Sequence, residues 1–487
     1  MVNFFKKNFN FIVIFSLCLA IYLPSFSTFY TNDDFYFLHI SNAQNLSGVL
    51  GFFNIVPEVS GNPMYRPLTT QLFYFLSVKM FGSTPLVLHL ISFVVFLVVV
   101  YLVYSLTDYI FKNIKIAFLS SFLYALSATH FAHLYYLATF QELGMTAFVL
   151  LSLLVFFRKR YLLSLVFFVM ALMSKETAVV TPVLICLVFL YQRFSGLKSL
   201  SFKVFFTFLS PFLLVLLSYL LLRIFYYGFA TGDTYVWEFS LKTILNTLGW
   251  YILWGLNLPE TLLDFIGPGF RVNPNLFIYW GEIFVPIFCL FFLELSGLFI
   301  LVFKSFDLKN RKATIEQMGV IFFGIAWFIV SLLPVLFLPL HKYAFYLTLP
   351  LIAVSIVVSN MIVWSKVKNV FTIYFMIVWV VLSALTLKHT FNTSWITQGQ
   401  RISARVYEYF LINELTLADK RIYFVDTQSD NNLPWSPTAV VKVALSEKNF
   451  FYAFYPKISG NVNYYGKLRP PESQNGYIIE ARSFLSY

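Results

Sequence analysis

Residues 85–106, PLVLHLISFVVFLVVVYLVYSL, run without a single charged side chain. With a rise of 1.5 Å per residue, about 20 such residues make a helix that crosses the hydrocarbon core of a bilayer. A backbone in hydrocarbon has no water to bond, so it must be helical or part of a closed barrel. The constraint recurs along the 487 residues, of which 59% are hydrophobic and 60 are Phe. Only 11% are charged, against about 25% in soluble proteins. The chain reads as an all-α polytopic membrane protein.

Eleven spans are expected, at 9–27, 84–106, 114–131, 142–157, 161–174, 176–192, 204–227, 281–303, 318–338, 343–363 and 370–388. Basic clusters fall in alternate loops: Lys6-Lys7, Lys112 with Lys115, Arg158-Lys159-Arg160, Arg193 through Lys203, Lys304 through Lys312, and Lys366 with Lys368. The net charge of +12 would suggest nucleic acid in a soluble protein. Here the excess of cations in cytoplasmic loops accounts for it, so no nucleic-acid partner is expected. That rule puts the N-terminus inside and the C-terminus outside, with a bacterial inner membrane and a periplasmic tail as the expected setting. The first span has no small-residue cleavage site and reads as a retained helix. Cys18, Cys186 and Cys289 lie in apolar runs and read as packing residues.

The stretch LKTILNTLGWYILWGLNLP (241–259) is long enough to span, yet one crossing there would put Lys304–Lys312 outside. It reads as an interfacial or re-entrant segment on the outer face, with Trp250 and Trp254 in the aromatic belt. Around it Asp233, Glu238, Glu260 and Asp264 outweigh Lys242 and Arg271. The expected division is a membrane domain over 1–390, with outer loops 28–83 and 228–280, and an extracytoplasmic domain over 391–487. In that tail ARVYEYFLINEL (404–415) has a helical period, while RIYFVD (421–426) and TAVVKVAL (438–445) read as strands of a small α/β domain.

In this topology the informative polar residues share the outer side. Asp33 and Asp34 follow the first span, and Tyr65 and Arg66 sit in the same loop. His130, His133, Gln141 and Glu142 form the next outer turn, followed by Lys175-Glu176 and by His341-Lys342. An ionisable group inside a span costs about 2.5–3.5 kcal/mol on insertion scales, so such groups line cavities or meet partners. One chemistry needs this set: transfer of a sugar from a polyprenyl phosphate to an acceptor hydroxyl. A carboxylate takes the hydroxyl proton, and Arg or Lys neutralises the departing phosphate. No nucleotide loop of the GxGxxG or GxxxxGK[ST] kind is present, the His residues do not cluster as metal ligands, and no cofactor is expected.

These motifs resemble the GT-C superfamily of polytopic lipid-phosphate-sugar glycosyltransferases. Members include protein O-mannosyltransferases and lipid A aminoarabinose transferases. The likeness is greatest to the membrane part of the TPR-containing O-mannosyltransferases and their bacterial relatives, and it spans about residues 9–363. Asp33-Asp34 matches their acidic pair and Tyr65-Arg66-Pro67-Leu68 their YRPL. His89-Leu90 begins a HLxN-like segment in which Ser92 replaces Asn. In a HPxHxEAVxW-like segment His130 fits the second His, while Ser127 and Ala132 replace the first His and the Glu. Ser174-Lys175-Glu176 with Pro182 matches SKE and its later Pro; His341-Lys342-Tyr343-Ala344-Phe345-Tyr346-Leu347 stands where ERYLYLPSLG would, without the Glu. No TPR-like tail follows.

The resemblance implies Asp33 or Asp34 as catalytic base, the other orienting acceptor or sugar, and Arg66, Lys175 and Lys342 as donor-phosphate ligands. Tyr65, His89, His130, Gln141, Glu142, Glu176 and His341 would line the cavity. The acceptor would be a protein, lipid or glycan. Plainer readings stand beside these: Arg66 as a snorkelling interface anchor, Lys175-Glu176 as an ion pair closing a turn, and the histidines as packed, hydrogen-bonded groups. A rival from another class is a transporter or flippase of a polyprenyl-linked glycan, for which internal repeats are expected and none is found.

Overall fold

The computed structural model describes residues 2–55, 64–196, 200–232, 234–267, 271–306, 311–417, 419–467 and 476–485. Asp233 and parts of the basic loops around Lys198 and Lys309 lie outside them.

Helices dominate. Seven are long and apolar enough to cross a membrane: Pro85–Phe111, Leu137–Phe157, Glu176–Phe194, Phe202–Tyr227, Asn275–Ser305, Ala313–Leu332 and Asn369–Thr393. Ile114–Ala125 and Ala128–Tyr135 make an eighth if they are one span bent by 50°. Phe11–Ser27, Tyr161–Leu172 and Leu351–Trp364 are apolar but shorter. The chain is thus a multi-pass membrane protein, with seven or eight full-length spans among the described residues where eleven spans were expected. Two of the expected spans end or start in polar, Pro-rich turns. The helix after Arg311 stops at Leu332, ahead of Pro334 and Pro339. The next begins only at Leu351, after Pro350. Pro lacks the N–H that a helix interior needs.

Residues 241–255 form one short helix, Leu241–Gly255, which is not among the full-length spans. Trp250 and Trp254 were expected in the headgroup belt. Both are instead buried, Trp254 at 1% exposure. Their helix packs on the turn Ala344–Leu347 and on Ala128–His130. The apolar rings fill protein, and the opposite side exposes Leu241, Leu245 and Ile252. Just beyond, Asn257 takes a left-handed φ of 64°, a conformation Asn tolerates. Its Oδ1 accepts from Ser127 Oγ and the Ala128 N–H, both at 2.9 Å. Its carbonyl accepts from Thr386 Oγ1 at 2.7 Å. One buried amide thereby satisfies the backbone freed at the 50° bend and ties three helices there.

The C-terminal region holds a three-stranded parallel sheet in the order Val462–Gly466, Arg421–Val425, Gly476–Glu480. The helix expected over 404–415 exists as part of Trp395–Leu417, and the strand at 421–426 as Arg421–Val425. Residues 438–445, expected as a strand, are the helix Pro437–Ala444. Ser436 caps it by accepting from the Ala439 N–H at 3.2 Å, and Pro437 stands at its first turn. Asp426, at the end of the first strand, accepts from the Thr438 N–H at 2.8 Å. These caps outweigh the β-branched propensity of the Val residues.

This region grips the loop after the first span. The Ala444 carbonyl accepts from the Asn32 N–H at 2.8 Å, Ser403 Oγ at 3.1 Å and Thr31 Oγ1 at 3.4 Å. Gly399 packs so closely on Thr31 that a β-carbon there would collide with Thr31 Oγ1. Gly399→Val should therefore lower stability by about 1–3 kcal/mol, read as a reduced thermal midpoint of the purified protein, whereas Gly249→Val, where a β-carbon meets open space, should have a much smaller effect.

Candidate active site

The acid pair opens the short helix Asp33–Ile40. Asn32, at φ 51°, turns the chain so that the helix starts there. The two carboxylates then have different surroundings. Asp34 is fully buried: Oδ2 accepts from the Thr31 N–H at 3.0 Å and Oδ1 from Tyr74 Oη at 2.9 Å. Burial lifts its pKa to about 7 against those bonds. Asp33 is exposed to water yet surrounded by protein, as on the wall of a cavity. Burial raises its pKa, while Tyr136 and the Arg66 charge lower it. Its backbone N–H bonds Tyr136 Oη at 3.2 Å. The pair thus divides into a fixed carboxyl and an accessible one.

Beside it stands a buried ionic network. Arg66 reaches Glu176 through both Nε, at 2.7 Å, and Nη2, and donates Nη1 to Gln141 Oε1. Lys175 Nζ donates to Glu142 Oε1 at 2.6 Å and lies 4.8 Å from the Tyr346 ring centroid. The plainer sequence reading made Lys175 and Glu176 an ion pair closing their own turn. Adjacent in the chain, they point to different partners, Glu142 and Arg66. Two unwound segments present these residues: a π-helical turn, Pro67–Leu72, follows Arg66, and a 3-10 turn, Glu176–Val180, carries Glu176. His341 bonds Thr234 Oγ1 at 2.8 Å and Tyr346 Oη at 2.9 Å. Burial first, then the Lys175 and Arg66 charges, push its pKa down to about 4, so the ring is neutral near pH 7.

The other candidates lie apart from this cluster or serve packing. His89 bonds Thr28 Oγ1 at 3.0 Å and the Leu134 carbonyl at 2.9 Å, and His130 bonds the Tyr124 carbonyl at 2.8 Å; both are buried. Tyr65 Oη donates to the Phe53 carbonyl at 3.1 Å. Lys342, expected with Arg66 and Lys175, is on the opposite side of its loop. Its Nζ donates to Asn246 Oδ1 at 3.3 Å and lines a separate cavity with Glu260. His341, whose N–H closes a turn on the Leu338 carbonyl, and Lys342 thus part to different partners.

A groove of about 470 Å³ leads away from the network. Glu176, Arg223, Tyr219, Tyr235 and Tyr346 line its polar end; Val180, Val183, Leu220, Leu333, Val335 and Phe337 are among its apolar walls. Tyr235 is within electrostatic reach of Arg66, Glu176, Asp33 and Arg223 together. Arg223 was not singled out in the sequence, although an arginine ending the apolar run LLLR was a visible signal. It begins a π-helical turn, Arg223–Tyr227, of the kind that recurs at functional sites. Tyr74, Tyr136 and Tyr235 gave no signal among 31 tyrosines. Among the described residues no three His, Cys, Asp or Glu side chains are grouped to hold a metal ion.

No protein-family model matches this sequence, and no curated protein matches it.

Removing one member of the Arg66–Glu176 pair leaves a charge in a poorly hydrated site. Arg66→Met should cost about 3 kcal/mol, the low end for a buried pair, because the Glu176 side chain keeps 30% exposure. The double variant Arg66→Met/Glu176→Leu should recover part of that loss. Denaturant unfolding in micelles measures both.

Proposed function

We propose that this protein is a membrane glycosyltransferase of the GT-C type. It moves a sugar from a polyprenyl-phosphate donor to an acceptor hydroxyl on the extracytoplasmic face, inverting the anomeric carbon. The observation that carries the reading is the groove with one apolar and one charged end. The charged end holds Arg223 and Glu176 beside the Arg66 network, and Asp33 is within electrostatic reach of its wall residue Tyr235. A ligand fitting it has a long apolar tail and an anionic head. Arg223 lies on the groove wall, with Arg66 and Lys175 in the ionic network behind it. Guanidinium and ammonium groups suit a phosphate held by charge-assisted hydrogen bonds.

In this reading Asp33 takes the proton from the acceptor hydroxyl as the oxygen attacks the anomeric carbon. The bond from that carbon to the phosphate oxygen breaks, and its electron pair leaves on polyprenyl phosphate. The nearby cations stabilise the new phosphate charge, and Asp33 returns its proton to water. Asp34, held by Thr31 and Tyr74, fixes the helix that carries Asp33. Eleven crossings, an inside N-terminus and an outside C-terminal domain belong to the same reading, supported by the alternation of basic loops. A bacterial inner membrane is the proposed location.

The test uses the protein in lipid with radiolabelled polyprenyl-phosphate sugars and a mixed acceptor extract. Asp33→Asn should lower transfer by about 10²–10⁴-fold without reducing lipid-phosphate binding. Lipid binding without transfer by the wild type would favour a flippase, and unchanged transfer in Asp33→Asn would reject the base. The wild-type rate should rise with pH as Asp33 loses its proton, with an inflection above the ordinary 3.8 of an Asp carboxyl.

A further inference from the structure

The loop from Phe337 to Tyr346 is a partition with different chemistry on its two sides. Phe337, Leu338 and Tyr346 line the apolar groove. Leu340, Lys342, Tyr343, Ala344 and Phe345 line a second cavity, of about 420 Å³. That volume is within the roughly 300–1,000 Å³ of small-molecule sites. The second cavity is bounded by the bend at Ala128–Thr129, the turn Glu260–Phe265, and the helices that end and begin at Thr393 and Trp395.

Its lining is hydroxyl-rich and acidic, with aromatic walls. Thr129, Thr386, Thr390 and Ser394 contribute hydroxyls, and Glu260 and Asp264 contribute carboxyls. Glu260 accepts from the Ala344 N–H through Oε2 at 2.9 Å, which fixes the carboxyl on the wall. Burial there lifts its pKa to about 7. Trp254, Tyr343 and Trp395 supply ring faces or edges; Trp395 keeps 43% exposure. Lys342 adds a donor.

The cavity adjoins the acid pair. The Trp395 ring meets the Tyr136 ring edge-on at 5.4 Å, and Tyr136 Oη bonds the Asp33 backbone. Tyr343, on the cavity wall, is within electrostatic reach of both Glu260 and Asp33, as Tyr235 on the groove wall is of Asp33. Asp33 is thus within electrostatic reach of one wall residue of each cavity, lining neither itself.

We propose that this second cavity binds a carbohydrate, the acceptor whose hydroxyl Asp33 deprotonates, with Glu260, Asp264 and Trp395 as the residues that select it. The acceptor role rests on the glycosyltransferase reading; the carbohydrate binding does not. A carboxyl accepts hydrogen bonds when ionised and also donates one when protonated, and a sugar hydroxyl does both, so a sugar can satisfy Glu260 and Asp264 in either state. A peptide backbone offers donors and acceptors fixed in kind and spacing. The apolar C–H faces of a pyranose suit the exposed Trp395 ring.

The test titrates the full chain in nanodiscs with methyl glucoside, methyl mannoside and methyl N-acetylglucosaminide, and with a short serine-containing peptide. Saturation-transfer NMR and tryptophan fluorescence read binding. At least one glycoside should bind saturably, about tenfold more weakly in Glu260→Gln. The exposed Asp264→Asn should weaken it too, which covers a folding failure of the first variant, and Leu162→Ala, at an exposed position away from the cavity, should leave it unchanged. Absence of saturable glycoside binding, binding indifferent to both variants, or binding of the peptide alone would overturn the proposal. Polyprenyl-phosphate binding is measured separately in the same nanodiscs. Its absence with glycoside binding intact would remove the donor reading and leave the carbohydrate site standing.

Discussion

Arg66 and Lys175, with Glu176, Glu142 and Gln141, hold the ends of several helices in register. In an interior of low dielectric an unpaired charge is far costlier than in water, so each of these groups demands its partner. The demand is directional. Arg66 offers a planar fork that only one placement of the Glu176 carboxylate satisfies while leaving Nη1 for Gln141. The loop after the first span, the start of Leu137–Phe157 and the turn at Glu176 are therefore fixed relative to one another by bonds, where hydrophobic packing alone would let them slide. Helices in lipid gain little from burying apolar surface against each other, because the lipid tails are equally apolar.

The acid pair depends on that frame from one side and on the C-terminal region from the other. Asp33 is steered by Tyr136, from the segment just ahead of Gln141, and its loop is held by the Ala444 carbonyl. The C-terminal region thus bears directly on the geometry of the carboxylates. Asp34 shares in that positioning through its bonds to Thr31 and Tyr74, which leaves Asp33 open.

Much of the architecture was legible along the chain because hydrophobic length is a local property. Seven of the expected spans coincide with helices long and apolar enough to cross a membrane, and Asp33, Arg66, Gln141, Glu142, Lys175 and Glu176 were all picked out as polar residues out of place among apolar ones. Readings failed where a local pattern had two solutions. TAVVKVAL suits a strand by its β-branched residues, but Ser436, Pro437 and Asp426 cap it as a helix. Trp250 and Trp254 have the amphipathic character of a membrane belt, yet their helix turns them into protein. Lys342 was expected with Arg66 and Lys175, yet its side chain turns to Asn246 while that of His341 bonds Thr234 and Tyr346.

The sequence by itself determined that the chain is a multi-pass helical membrane protein, because only internally bonded backbone persists in hydrocarbon and the apolar runs have the necessary length. It also marked which charges must find partners. Tertiary structure alone decided who those partners are: that Glu176 goes to Arg66 and Glu142 to Lys175, that Asp33 is open and Asp34 closed, and that two cavities of unlike chemistry share a wall at 337–346. Pairing across 33 residues for Lys175 with Glu142, and 110 for Arg66 with Glu176, is set by how helices tilt and loops turn, and no local pattern in the chain encodes that.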